Sequence, residues 1–130
     1  MGTSPIFGTT PALGVARLTT GVATRDGSGT ESTVLAAGAS GTKIEKIVVK
    51  AETDLADSVV NIWINDGSTD FLFDEFDAGD PATASTTVSG YREVRYYRDF
   101  TLPTGFSLKA TITVTPTTGG CNVFAMGSHL

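Results

Sequence analysis

One cysteine, Cys121, and one histidine, His129, are all that the 130 residues offer of either type. A lone thiol forms no internal disulfide, and the two side chains together cannot complete the four-ligand Cys/His cage of a structural zinc. Basic residues are in the minority as well: 9 Lys and Arg stand against 14 Asp and Glu, for a net charge of −5 and a pI near 4.6. A nucleic-acid binder needs a basic footprint to displace counterions from phosphate, so no DNA or RNA partner is expected. Nowhere is there a run of about 18 apolar residues to cross a bilayer. Met1-Gly2-Thr3-Ser4-Pro5 also lacks the basic start and apolar stretch of a secretory leader. The expectation is a protein made in the cytoplasm, with no membrane partner. Charged residues make up only 18% of the chain. Much of the surface must therefore be Thr, Ser, Gly and Asn, whose desolvation against another protein costs less than that of charges.

What the chain has instead is threonine and glycine, 21 and 15 residues respectively. The β-branched Thr side chain suits a pleated strand, and Gly supplies the positive-φ positions of tight turns. At this length a single domain is expected, and its class is all-β.

Residues 1–17 hold Pro5 and Pro11, and their apolar residues Ile6, Phe7, Leu13 and Val15 keep neither a strand nor a helix period. They read as an extended N-terminal arm, set before a β domain over 18–130. Large apolar side chains between prolines are unusual in a merely disordered tail, so Pro5, Ile6, Phe7, Pro11 and Leu13 are the candidate contact residues, able to order on a neighbouring subunit. Removing residues 1–14 is accordingly expected to spare the fold.

From residue 18 onward, β-prone runs at 19–24, 31–37, 42–51, 58–65, 71–73, 93–98, 106–115 and 121–126 alternate with turn signals such as Asp26-Gly27, Asp66-Gly67-Ser68 and Pro116-Thr117-Thr118-Gly119-Gly120. In 42–51, Ile44, Ile47, Val48 and Ala51 have helical spacing, but the run of β-branched residues favours a strand with a bulge near Glu45-Lys46. In 106–115, Phe106, Leu108, Ala110, Ile112 and Val114 face a core while Ser107, Lys109, Thr111, Thr113 and Thr115 face water. Trp63 is expected at a sheet edge or subunit contact, and residues 74–90 as a long polar loop. About eight strands at roughly ten-residue spacing describe an antiparallel β-sandwich, of jelly-roll type by strand count.

No constellation carries catalysis. His129 lies one residue from the chain end, a poor place for a triad, and Cys121 reads as a small half-buried residue rather than a nucleophile. Asp70, Asp74, Glu75, Asp77 and Asp80 do not follow the EF-hand order of calcium ligands. Gly38-Ala39-Ser40-Gly41-Thr42-Lys43 reverses the Lys and Thr of a phosphate-binding loop. Catalytic residues, metal ligands and cofactors are therefore all expected to be none. Tyr91, Tyr96, Tyr97 and Trp63 could stack on sugar, although strand aromatics more often pack in or between sheets.

The series 24–30 (TRDGSGT), 37–44 (AGASGTKI), 62–67 (IWINDG) and 102–110 (LPTGFSLKA), with Thr10-Pro11-Ala12-Leu13-Gly14 ahead of it, resembles a family of small tailed-bacteriophage virion structural proteins. The resemblance implies a head decoration, or cement, protein. Such a protein sits on the capsid exterior, contacts the major capsid protein, forms a homotrimer and is not an enzyme. A tail, head-fibre or receptor-binding module recognising a host surface glycan is the alternative.

Overall fold

The computed structural model describes residues 8–79 and 84–130. These residues contain nine strands and no helix: β1 (Thr10–Leu18), β2 (Ser32–Ala36), β3 (Thr42–Ala51), β4 (Ser58–Asn65), β5 (Asp70–Gly79), β6 (Arg92–Tyr96), β7 (Thr101–Leu102), β8 (Ser107–Ile112) and β9 (Cys121–His129). The first sheet runs β1-β9-β3-β6, with the short β7 also on β3, and the second runs β2-β8-β4-β5. All strand pairs within the sheets are antiparallel, and four of them nest: β4 with β5, β3 with β6, β2 with β8, and β1 with β9. The bulge expected near Glu45-Lys46 is present as a register shift between Ile44 and Lys46 against β9.

Alternation explains the core. Leu108, Ala110 and Ile112 of β8 and Val60 and Ile62 of β4 form one buried cluster with Ile44, Ile47 and Val49 of β3 and Val123 and Ala125 of β9. The two sheets thus face each other across a single apolar layer, and each Val, Leu or Ile so buried contributes about 1.5–3 kcal/mol.

Three stretches depart from the sequence expectation. Residues 10–17, assigned to the arm, belong to a strand paired with β9 from Thr10 to Leu18. Its strand period is hidden because the small Ala12, Gly14 and Ala16 point inward while the larger Leu13 and Val15 point out. Removing residues 1–14 would therefore take away half of an edge strand. Pro5, Ile6 and Phe7 lie outside the described residues. Residues 74–79, expected in a loop, extend β5, because Asp74 and Glu75 find cationic partners in distant segments.

The segment 19–31 is not a strand either, beyond one bridge between Gly21 and Ile112. It leaves the edge of β8, where the Val22 N–H donates to the Ile112 carbonyl, and reaches β5, where Arg25 pairs with Glu75. It returns to β8 at Ser32, so it crosses the outer face of the second sheet. Trp63, expected at an edge, is on that face of a central strand and only 2% exposed, its Nε1 donating to Thr111 Oγ1 at 3.0 Å. Thr111, expected to be wet, is buried with it.

The two long sides of the sandwich close differently. At β1 and β2 the backbones approach so nearly that a Cβ on Gly14 would sit on the Val34 carbonyl oxygen and 2.7 Å from Leu35 Cβ. At β5 and β6 the closure is polar. Arg95 Nη1 lies 2.7 Å from Asp74 Oδ1 and 2.6 Å from the Glu75 carbonyl, and its guanidinium covers the Phe76 ring at 4.1 Å. The Tyr97 hydroxyl donates to Asp74 Oδ2 at 2.7 Å, beside packed rings of Phe73 and Phe100. Desolvation pushes the Asp74 carboxyl up, but hydrogen bonds from Tyr97, the Glu75 N–H and Arg95 outweigh it and hold it below the ordinary aspartate value.

Two stability predictions follow from these closures. Gly14→Ala should lower unfolding free energy by about 1–3 kcal/mol, the usual cost of forcing atoms into a packed contact, read as a lower urea midpoint at unchanged slope. Asp74→Asn should cost about 1–3 kcal/mol at neutral pH. Because the folded Asp74 pKa is depressed, its contribution is present above the unfolded value of 3.8 and is lost as pH falls through the folded one. The gap between wild type and variant should therefore narrow below that pH in urea titrations, and a gap constant with pH would refute the assignment.

Candidate functional site

The sheet β1-β9-β3-β6 turns one face to the core and the other outward, and pairing registers place the outward side chains in rows. Leu13, Met126, Lys46 and Tyr96 make one row, and Val15, Phe124, Val48 and Val94 make the next. Opposed side chains in such rows sit about 4.5–5.5 Å apart at Cβ, so the second row is apolar across all four strands. Leu13 is 63% exposed, Val15 48% and Tyr96 78%. Pro11 continues the outer face of β1 beyond Leu13 and is also exposed.

Cations border this apolar band. Arg17, Lys50 and Arg92 share a third row with Asn122, and Lys43 stands opposite Ser128 beyond the first. Arg17 is tied to Glu52, Nε to Oε2 at 2.6 Å. The hydrogen bond from Arg17 pulls the Glu52 carboxyl down to about 2. In a chain of net charge −5, five cations on one sheet face mark a surface distinct from the rest.

At the β3–β6 corner the face dips into a groove of about 640 Å³. Lys43, Glu45 and Lys46 line it from β3, Tyr96 from β6, and Arg98 and Asp99 from the turn that follows, with Met126 and Tyr97 completing the wall. Glu45 is the extra residue of the bulge, which lets Glu45 and Lys46 both reach the groove instead of alternating.

Of the candidates drawn from the sequence, Pro11 and Leu13 fall on this outer face. Of the four aromatics, only Tyr96 is freely available. Trp63 is buried, and Tyr91 and Tyr97 pack against the core, where desolvation pushes the Tyr91 hydroxyl up to about 12. His129 is held in β9, its Nδ1 2.7 Å from Thr42 Oγ1, which in turn accepts the Gly38 N–H. Cys121 stands at the other end of the same strand, so the two form no pair. Among the described residues no three His, Cys, Asp or Glu side chains cluster as metal ligands. Phe124, Met126, Val48 and Val94 were not anticipated. The signal for them was present in β9, where Val123, Phe124, Ala125 and Met126 are apolar on both faces.

Compared with known proteins, the chain matches no family model, no curated protein and no solved structure.

The placement of Cys121 gives a simple check. Its side chain is 0% exposed and desolvation pushes its thiol up to about 11, so a colorimetric disulfide reagent at pH 8 should label it only after denaturant is added. Rapid labelling of the folded protein would show the strand end to be open.

Proposed function

We propose that this protein is a structural component of a tailed-phage particle, a decoration protein that docks on the outer head lattice through the apolar outer face of β1 and β9. The observation that carries the reading is the patch of Leu13, Val15 and Phe124, in two adjacent rows, standing outward on an ordered sheet. Contiguous exposed apolar surface on a folded domain marks an interaction site. On this reading the major capsid protein is the partner, the protein is made in the host cytoplasm and carried on the capsid exterior, and its role is binding rather than catalysis.

Three further points support it. The motif series of the sequence resembles phage virion proteins. The nested pairs β4–β5, β3–β6, β2–β8 and β1–β9 are what one long hairpin gives when wound into two sheets, which favours a jelly roll, an architecture recurrent in viral capsid and lectin domains. Pro5, Ile6 and Phe7 lie a few residues ahead of the strand that carries Pro11 and Leu13, so an arm over these residues would extend the same apolar surface. A homotrimer would present three such surfaces at once and convert weak single contacts into avid lattice binding.

The test is co-sedimentation with heads lacking the protein, alongside light scattering of the free protein. Wild type should be a trimer and saturate heads at a copy number set by the lattice. Leu13→Asp, at an exposed position, should leave unfolding within about 0.5 kcal/mol of wild type and weaken head binding by about tenfold or more. Undiminished binding by the variant, or saturation at only a few copies per particle, would move the protein to a tail or fibre position.

A further inference from the structure

We infer that the groove at the β3–β6 corner is a binding site for an acidic carbohydrate, a sugar acid within a glycan chain. Tyr96 stands directly opposite Lys46 in the β3–β6 register, is 78% exposed, and has no ring contact among the described residues. A broad aromatic surface held open on a strand is suited to stack against the C–H face of a pyranose ring, as aromatic faces do with flat ligands.

The charges around it select the kind of sugar. Arg17, Arg25 and Arg95 each have a carboxylate partner, whereas the side chains of Lys43, Lys46 and Arg98 make no ion pair or hydrogen bond among the described residues. Three unpartnered cations in one groove are placed to receive a carboxylate. Glu45 and Asp99 share the groove with them. Those two carboxylates repel a bare polyanion and can only accept hydrogen bonds, so they call for donors, which vicinal hydroxyls supply. A neutral sugar would leave the cations unused. A polyanionic peptide would bring charge toward Glu45 and Asp99 with no hydroxyl to offer. A sugar acid presents the carboxylate, the hydroxyls and the apolar ring face together.

The backbone is shaped to make the site. The bulge turns Glu45 out beside Lys46. Asp99 takes φ +54, a left-handed conformation that Asp tolerates better than most residues, in the turn that brings Arg98 and Asp99 to the groove. The site lies mainly on β3 and β6 and meets β9 only at Met126, two strand spacings from Leu13 and Val15 on β1, roughly 10 Å. It therefore does not depend on the head-docking reading.

The experiment is binding of the full chain to an array of glycans bearing hexuronic and nonulosonic acids, with their methyl esters, neutral counterparts and tetraglutamate as controls. Hits are then measured by titration calorimetry. At least one acidic glycan should bind, and its methyl ester should bind about tenfold or more weakly, the scale of one lost charge-assisted contact. Tyr96→Ala should abolish the signal. Asp99→Asn, which keeps the left-handed turn and removes the charge, should weaken the acidic glycan severalfold while improving tetraglutamate. Equal binding of the esters, binding of tetraglutamate as tight as that of any glycan, an unaffected Tyr96→Ala, or no acidic glycan bound at all would each overturn the assignment.

Discussion

Strand β9 is paired on both sides along its whole length, with β1 from Thr10 to Leu18 and with β3 from Thr42 to Ala51. The sheet that carries both the apolar face and the groove cannot close until the C-terminal residues join the N-terminal ones. Gly127 makes that fit possible at the bulge, since a Cβ there would overlap the Lys43 carbonyl oxygen. Contacts between the two ends of a chain are entropically late, so the outer face exists only in the fully assembled fold.

The two sheets treat their outer faces differently. The second covers its own with the 19–31 segment, under which Trp63, Asn61 and Thr111 are buried although they point away from the core. The first has no such cover among the described residues, and it carries Leu13, Val15 and Tyr96 in the open. The same fold thus shows what internal covering of a sheet face looks like and a face left without it. That contrast, more than the exposure of any one residue, singles out the β1-β9-β3-β6 surface for contact with something outside the chain.

Strands β3, β4 and β8 were legible because branched apolar residues alternate in them, β9 because an apolar run follows the turn signal at 116–120, and the Glu45-Lys46 bulge because the alternation slips there. β1 was not, since its inner face is built from Ala and Gly and its outer face from Leu and Val, the reverse of what size leads one to expect. β5 was hidden by its acids: Asp74 and Glu75 read as loop until Arg95 and Arg25, from separate segments, neutralise them. Run 19–24 has strand composition but is drawn across the second sheet instead. Of the site, Pro11 and Leu13 were visible as apolar residues without an obvious home. Phe124 and Met126 look in the sequence like part of an ordinary strand, and the groove is invisible there because it is assembled by register between β3 and β6.

The size of the outer face sets how it can work. Four strands and three rows of side chains cover roughly 400 Å² of sheet, about half of the roughly 800 Å² per partner of a stable interface. A single copy docking through this patch alone would be short-lived. Persistent attachment to a large assembly therefore requires either added apolar surface or several copies linked so that release of one is followed by its recapture. The low charge of the chain fits the second route: few polar groups must be stripped of water at each contact, so many weak contacts can add without a large desolvation cost at any of them.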